Sequence, residues 1–143
     1  MPTNTLVIYK SSAGSGKTYT LVLEYLKMVL KQPSLYRTIL AITFTNKATE
    51  EMKSRIIGAL VDISENRDEI LQLSVSEHTG LDIETLPAQA AKVLDYIMHD
   101  YSGISVSTID SFFSHIVRSL ARELNLPLRF DIELNTDAVI KEI

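Results

Sequence analysis

The hydrophobic positions change their period several times along the first half of the chain. Leu6-Val7-Ile8-Tyr9 is a short apolar run of strand-forming residues and predicts a buried strand over about residues 5–9. The apolar residues that follow Thr18 have helical spacing instead: Val22, Tyr25, Leu26, Val29 and Leu30. Pro33 should end this helix, because proline cannot continue it. A second buried strand is predicted over residues 38–44.

The second half of the chain continues this alternation. A helix is predicted from near Asn46, with that residue as its candidate N-cap. Residues 65–100 predict helices with a break around Gly80 and Pro87, and residues 104–108 predict a third strand. The buried stripe expected on the helix from about Ser111 consists of Phe112, Phe113, Ile116, Val117, Leu120 and Leu124. Strands alternating with helices predict an α/β fold, in which helices flank a parallel sheet.

The end of the sequence predicts a helix that has a beginning but no termination signal. It starts near Thr136, and Val139, Ile140 and Ile143 begin an apolar stripe without a following C-cap glycine. We therefore expect the chain to be a fragment of a longer protein, with apolar surface left open. Self-association between copies would cover that surface; the alternative is that the C-terminal segment folds back over the sheet edge of its own chain.

Composition narrows the class of protein. The chain has 143 residues, a net charge of −4 and no cysteine, which excludes disulfides and thiolate metal sites within it. It has no apolar run of membrane-spanning length and no basic leader, so we expect a cytoplasmic protein without membrane contact. Residues 1–64 carry a net charge of +4 and residues 65–100 a net charge of −6. The basic first half suits a polyanionic ligand, although ordinary surface charge would give the same pattern.

Small residues follow the first predicted strand and precede the first helix. The segment Ser11-Ser12-Ala13-Gly14-Ser15-Gly16-Lys17-Thr18 has the context of a phosphate-binding P-loop. In such a loop Lys17 would reach the terminal phosphates and the Thr18 hydroxyl would face Mg²⁺. The strict pattern has glycine where this chain has Ser11. The alternative is an ordinary glycine-containing turn.

Two further segments carry a family resemblance. Ala41-Ile42-Thr43-Phe44-Thr45-Asn46-Lys47-Ala48-Thr49-Glu50-Glu51-Met52 resembles the TFTNKAAxEM motif of UvrD/Rep-type superfamily-one DNA helicases. Val106-Ser107-Thr108-Ile109-Asp110-Ser111-Phe112 resembles their STIHSF segment, in the same order along the chain. The phrase SSAGSGKTYTL looks most like the RecB/AddA helicase–nuclease branch.

The resemblance implies two sets of site residues. ATP would be held by Ser12, Ala13, Gly14, Ser15, Gly16, Lys17, Thr18 and Tyr19; of these, Lys17 and Thr18 have the catalytic positions, and Thr18 faces Mg²⁺. DNA would be contacted by Thr43, Phe44, Thr45, Asn46, Thr108 and Ser111, with Phe44 stacking on a base. Each has an alternative interpretation: Phe44 in the core, Asn46 as a helix cap, Thr108 as a plain strand residue. Asp110 replaces the family's usual histidine; since a carboxylate repels phosphate, it is a candidate helix cap instead.

The resemblance also implies the organisation and function of the chain. Residues 1–125 would form the first part of a partial RecA-like P-loop NTPase domain with the acidic helical segment 65–100 inserted, and residues 126–143 would start the next segment. The parent would be an ATP-dependent DNA helicase in DNA repair, exonuclease-associated in this branch. Its partners would be single- and double-stranded DNA and a second helicase–nuclease subunit.

Later family motifs supply the Walker B acids and arginines needed for hydrolysis, so the isolated chain is expected to bind nucleotide at most and not to unwind DNA. Two alternatives are a small P-loop kinase, for which the chain lacks a base and an arginine-rich lid, and a non-catalytic nucleotide-binding module.

Overall fold

The computed structural model of the chain describes residues 6–9 and 16–120. The helices are α1 (Lys17–Lys31), α2 (Asn46–Ser64), α3 (Glu69–Thr79), α4 (Leu86–His99) and α5 (Ile109–Ser119). Two 3₁₀ turns, Pro33–Arg37 and Tyr101–Gly103, each precede a strand: β1 (Ala41–Thr43) and β2 (Val106–Thr108). The predicted parallel sheet with flanking helices is therefore present, in a strongly helical arrangement.

The two strands are parallel neighbours, paired from Ala41 opposite Val106 to Thr43 opposite Thr108. The Ala41 N–H donates to the Ser105 carbonyl oxygen at 2.9 Å and continues the pairing. Parallel strands need a crossover connection, and here α2, α3 and α4 supply it. Because the strands are parallel, the chain leaves both of them at the same edge of the sheet.

The core lies among the helices rather than on the sheet. The five apolar positions of α1 predicted from helical spacing are all buried. They meet Ile56, Leu60 and Ile63 of α2, and the core continues through Val75 of α3 to Val93 and Ile97 of α4. The helix α2 packs against both α4 and α1, and it also contacts both strands. The helical core therefore fixes where β1 and β2 lie.

The helix ends follow the proline and glycine positions, with one difference. Pro33 begins the 3₁₀ turn after α1, as predicted. Gly80 ends α3 with a φ of 70°, a conformation that favours glycine. Pro87 does not break a helix; it lies in the first turn of α4, where its missing N–H costs no intrahelical hydrogen bond.

The first predicted strand is not found. Residues 6–9 form no strand and are exposed, with Leu6 at 85%. A buried strand requires a hydrogen-bonded neighbour and covered faces, whereas β1 and β2 pair with each other and the buried side of α1 packs on other helices. The Tyr9 hydroxyl does donate to Glu24 Oε1 at 3.2 Å. The other two strands are shorter than predicted, at three residues each.

The predicted buried stripe of α5 is also wrong. Phe113, Ile116 and Leu120 are exposed, while Phe112 and Val117 are half-buried; Leu124 lies outside the described residues. The amphipathic pattern shows that a helix has an apolar side, but it does not supply the surface that covers that side. In the described part of the chain α5 packs on β1 and β2.

A polar clamp joins the two turns that precede the strands. The Arg37 guanidinium lies 2.9 Å from Asp100 Oδ2, and its Nε donates to the Tyr36 hydroxyl at 2.8 Å. Asp100 Oδ1 accepts hydrogen bonds from Ser102 Oγ at 2.9 Å and from the Gly103 N–H at 3.1 Å. The Ser102 hydrogen bond, with the charge of Arg37, lowers the pKa of Asp100 against the effect of desolvation. The clamp holds the starts of both strands together.

Tyr25 is the position at which removal of a hydroxyl should stabilise the fold. Its side chain is 2% exposed, and its hydroxyl has no hydrogen-bond partner among the described residues. Burial raises the pKa of Tyr25 from 10.0 to about 12. Because an unpaired buried hydroxyl costs about 1–3 kcal/mol, we expect Tyr25→Phe to raise the free energy of unfolding by about 1 kcal/mol at pH 7.

The same variant has a defined pH signature. Burial penalises the ionised form of Tyr25, so the unfolded chain loses the phenolic proton at lower pH than the folded chain does. The free energy of unfolding of the original protein should therefore be unaffected by this group below pH 10 and should fall between about pH 10 and 12. Denaturant titrations across that interval should therefore show a smaller loss of stability in Tyr25→Phe. The matched control is Tyr36→Phe, which removes a hydrogen-bonded hydroxyl and should lower stability. Destabilisation by Tyr25→Phe at pH 7 would contradict the prediction.

Candidate nucleotide site and nucleic-acid interface

The start of α1 depends on the backbone conformation of Gly16. This residue has φ 82° and ψ 14°, in the left-handed region, and directly precedes Lys17, the first helical residue. A Cβ built on Gly16 would meet none of the described residues within 4 Å, so among them glycine is required for its φ and not for space. The Thr20 N–H closes the first turn on the Gly16 carbonyl oxygen at 3.0 Å.

The first turn of α1 offers donors and no carboxylate. It contains no acidic residue, and the Gly16 cap has no side chain that could accept from its N–H groups. The first N–H groups of a helix have no intrahelical acceptor, so this end attracts an anion. Lys17 is exposed and Thr18 is half-buried in the same turn. An ammonium group, a hydroxyl and backbone N–H groups are the chemical groups that a phosphate with an associated cation requires. Outside the described residues lie Ser12, Ala13, Gly14 and Ser15 of the predicted loop.

Tyr19 lines a cleft of about 340 Å³ between α1, α2 and α3. The cleft is also lined by Leu23, Arg55 and Asp62, and the Arg55 guanidinium is 2.6 Å from Glu51 Oε1. The sequence motifs did not single out Arg55. The sequence does place Arg55 one helical turn after Glu51, but that spacing predicts an ion pair within α2 and not a ligand-binding role.

The turn between β1 and α2 exposes an aromatic side chain. Phe44 is 87% exposed, so the interpretation of Phe44 as a core residue is wrong. The cap of α2 is Thr45, whose Oγ1 accepts a hydrogen bond from the Ala48 N–H at 3.1 Å. Asn46 was the predicted N-cap, but it is already the first helical residue, while Thr45 has the extended backbone that a capping side chain needs.

Three threonine residues form a hydrogen-bonded cluster behind this turn. Thr43 Oγ1 lies 2.6 Å from Thr49 Oγ1, and each of these oxygens lies 3.2 Å from the Thr45 carbonyl oxygen. The Thr49 N–H donates to the same carbonyl at 3.0 Å. The backbone on both sides of Phe44 is therefore held in place.

The turn between β2 and α5 has a similar construction. Thr108, the last residue of β2, accepts a hydrogen bond on Oγ1 from the Ser111 N–H at 3.2 Å and caps α5. Asp110 was the candidate cap, but it lies inside the first turn of α5 and is not the capping residue. Its negative charge there stabilises the helix by interacting with the positive end of the helix dipole. Thr108 is thus both a strand residue and a cap, and at 8% exposure its side chain is buried rather than presented on the surface.

The structure brings the two predicted DNA-contacting segments to one edge of the sheet. Thr43 and Thr108 are direct partners in the parallel pairing. Phe44 directly follows Thr43, and Ser111 lies in the first turn of α5, which begins after Thr108. Thr45 and Asn46 follow at the start of α2. Residues separated by more than 60 positions in sequence therefore meet at the carboxyl ends of adjacent strands.

The family of the chain follows from comparison with known proteins. The model of the UvrD/REP helicase N-terminal domain matches residues 1–143. The chain belongs to this family. The resemblance carried by the two motifs is therefore confirmed, and the UvrD/REP membership accounts for their order along the chain.

Relatives of this UvrD/REP domain include helicase–nuclease subunits. RecBCD enzyme subunit RecB of Buchnera aphidicola is 33% identical over 132 residues, 82% of this chain and 11% of that protein. An ATP-dependent helicase/nuclease subunit of Lacticaseibacillus casei is 34% identical, over 79% of this chain and 8% of that protein. The Bacillus cytotoxicus protein of the same name is 29% identical over 92% of this chain and 9% of that protein.

The chain spans about a tenth of the length of these relatives. No solved structure matches it significantly. Among the helices of residues 16–120, none is long and apolar enough to cross a membrane. Within the same described part, no three His, Asp or Glu side chains are grouped as metal ligands.

Two glycines of this UvrD/REP domain should respond in opposite directions to alanine. Gly16→Ala places a Cβ on a residue with φ 82° and should lower the free energy of unfolding by about 1–2 kcal/mol. Gly58 lies inside α2 with open space around it, so Gly58→Ala should raise stability by up to about 1 kcal/mol. Urea denaturation of both variants measures the difference. Equal effects of the two changes would contradict the left-handed conformation of Gly16.

Proposed function

We propose that the chain forms the nucleotide-binding and first DNA-contacting part of an ATP-dependent DNA helicase of the RecB/AddA helicase–nuclease branch, acting in DNA repair. Residues 1–125 would belong to its first RecA-like domain. The observation that carries the proposal is the pairing of Thr43 with Thr108. This pairing puts two segments that resemble DNA-contacting helicase motifs at one edge of a single sheet.

ATP and Mg²⁺ would bind at the start of α1. Lys17 would reach the terminal phosphates, the Thr18 hydroxyl would face Mg²⁺, and the Gly16 conformation would aim the first helix N–H groups at the phosphates. The residues 12–15 that precede them would complete the loop, with Tyr19 and its cleft on the nucleoside side. When bound, ATP supplies the free energy for movement along DNA.

Single-stranded DNA would cross the edge formed by the two turns. Phe44, almost fully exposed, provides a face on which a base can stack. The Thr45 and Thr108 hydroxyls accept hydrogen bonds from the helix backbones that they cap. A hydroxyl that accepts a bond keeps its own hydrogen, so the exposed Thr45 hydroxyl remains able to donate to a DNA phosphate. Thr108 is only 8% exposed, so its cap would hold the turn in place beside the DNA. Asn46 and Ser111 would add polar contacts beside them.

The residues of this chain would bind and position rather than hydrolyse. Hydrolysis in the family that the chain resembles depends on an acidic pair and arginines from later motifs. Translocation requires two such domains to move relative to each other. A second helicase–nuclease subunit would be a partner of the whole protein, since these relatives are named as subunits. Double-stranded DNA would be a further partner of the whole protein.

Removal of the Lys17 ammonium tests the nucleotide site. Lys17→Ala in the full-length protein should abolish measurable ATP binding, because the phosphates lose their principal positive partner. Lys17 is exposed in the first turn of α1, so the melting temperature should change little. The control is Lys31→Ala at the other end of the same helix, which should bind ATP normally. Unchanged ATP affinity in Lys17→Ala, measured by isothermal titration calorimetry, would remove the assignment.

Truncation of Phe44 tests the DNA contact. Phe44→Ala in the full-length protein should weaken single-stranded DNA binding by about 1–3 kcal/mol, the usual contribution of one base stacked on an aromatic ring. Its free energy of unfolding should change by less than about 0.5 kcal/mol, because the ring is exposed. Fluorescence anisotropy with a labelled oligonucleotide measures the affinity.

The matched control for Phe44 is Ile70→Ala. Ile70 is also a large exposed apolar side chain, but it lies on α3, away from the sheet edge. Ile70→Ala should leave DNA affinity unchanged. Normal DNA binding by Phe44→Ala together with a large loss of stability would show that Phe44 packs in the protein and does not stack on DNA.

A further inference from the structure

The threonine cluster contains one residue that the DNA-contacting set does not include. Thr49 lies in the first turn of α2, is 7% exposed, and does not reach the surface where a DNA strand would pass. Its Oγ1 is 2.6 Å from Thr43 Oγ1 and 3.2 Å from the Thr45 carbonyl oxygen. Thr49 therefore links the end of β1 to the turn on which Phe44 is exposed.

Counting hydrogens shows what this link does. The Thr43 and Thr49 hydroxyls have one hydrogen each, but three contacts join them to each other and to the Thr45 carbonyl. Only two of the three contacts can be hydrogen bonds at one time. If Thr49 donates to Thr43, then Thr43 must direct its own hydrogen elsewhere, either to the Thr45 carbonyl or outward.

The Thr45 carbonyl does not depend on the Thr43 hydrogen. It also accepts the Thr49 backbone N–H at 3.0 Å, the ordinary helical bond of α2. Thr43 can therefore turn its hydrogen to an outside acceptor without leaving the Thr45 carbonyl unpaired. The requirement is that Thr49 donates to Thr43 and fixes the position of its oxygen.

We propose that Thr49 is a positioning residue for DNA binding: its hydroxyl donates to Thr43, so that Thr43 can donate to a DNA phosphate while the turn carrying Phe44 stays in place. The inference rests on the proposed function and deepens it. A threonine that bonds only to the carbonyl four residues earlier in its helix has a common structural role. The additional contact with Thr43 of β1 distinguishes Thr49 from that case.

The test compares a variant that keeps the shape of Thr49 with one that keeps its hydroxyl. Thr49→Val in the full-length protein replaces the hydroxyl by a methyl group and should weaken binding of a single-stranded oligonucleotide about fivefold, the equivalent of one neutral hydrogen bond. Thr49→Ser keeps the hydroxyl and should restore the affinity to within about twofold of the original. ATP affinity should not change in either variant.

A double-mutant cycle with Thr43→Val separates positioning from an independent contact. If Thr49 acts through Thr43, then Thr43→Val combined with Thr49→Val should bind DNA no more weakly than Thr43→Val alone. The control is Thr79→Val on α3. Thr79 is buried and bonds to the Val75 carbonyl at 2.7 Å, the same arrangement within a helix, but it lies away from the sheet edge. It should change stability without changing DNA affinity.

The outcomes decide between the inference and the function on which it rests. Unchanged DNA affinity in Thr49→Val, or an additive loss in the double variant, would overturn the positioning role while Phe44→Ala still weakened binding. If neither Phe44→Ala nor Thr43→Val weakened binding, the proposed DNA edge itself would fail. Should Thr49→Val not fold, as judged by circular dichroism, Thr49→Ala also lacks the hydroxyl and carries the same expectation.

Discussion

The parallel pairing of β1 with β2 is the constraint on which the rest of the site depends. Its register, with Thr43 opposite Thr108, places two turns that are distant in sequence at one edge. The clamp between Arg37 and Asp100 holds the opposite ends of the same strands. Space there is limited, since a Cβ on Gly103 would lie 2.6 Å from Asp100 Oδ2. The short sheet is therefore held at its start by this clamp and at its end by the threonine hydrogen bonds, in addition to the hydrogen bonds between its strands.

Threonine has several functions at this edge because a hydroxyl both accepts and donates. Thr45 and Thr108 accept hydrogen bonds from the N–H groups of α2 and α5, and so each ends an extended segment and starts a helix. The hydrogen of the exposed Thr45 hydroxyl remains available to a ligand. An aspartate in either position would cap the helix equally well, but its charge would repel a phosphate. The residue type therefore suits helix capping and anion contact together.

The hydrophobic pattern correctly predicted which residues of α1 face the core, because that depends on local spacing. It failed where burial depends on which other element covers the apolar side. All five apolar positions of α1 are buried because a long helix with one apolar side has one way to pack. Residues 6–9 and the apolar side of α5 have equally clear patterns, but the described residues do not cover them. The capping errors at Asn46 and Asp110 have another cause. Each lies one or two residues from a threonine able to cap, and the backbone conformation alone decides between them.

The candidate site divides in the same way. The motif resemblance predicts that Thr43, Phe44 and Thr108 share a site, and the strand pairing places these residues at one edge. Thr49 belongs to the first of the two motifs proposed to contact DNA, but its contact with Thr43 exists only after α2 turns back beside β1. A role that arises from such a contact cannot be predicted from the sequence pattern.

The part of the crossover connection that follows α2 is strongly acidic. Residues 65–100 have a net charge of −6, and their helices α3 and α4 pack on α1 and α2. Exposed carboxylates such as Glu69, Glu77 and Glu84 therefore give this side of the domain a negative potential. An approaching polyanion would be repelled from the side formed by α3 and α4. The connection would thus orient the encounter, and added salt would weaken that orientation by screening it.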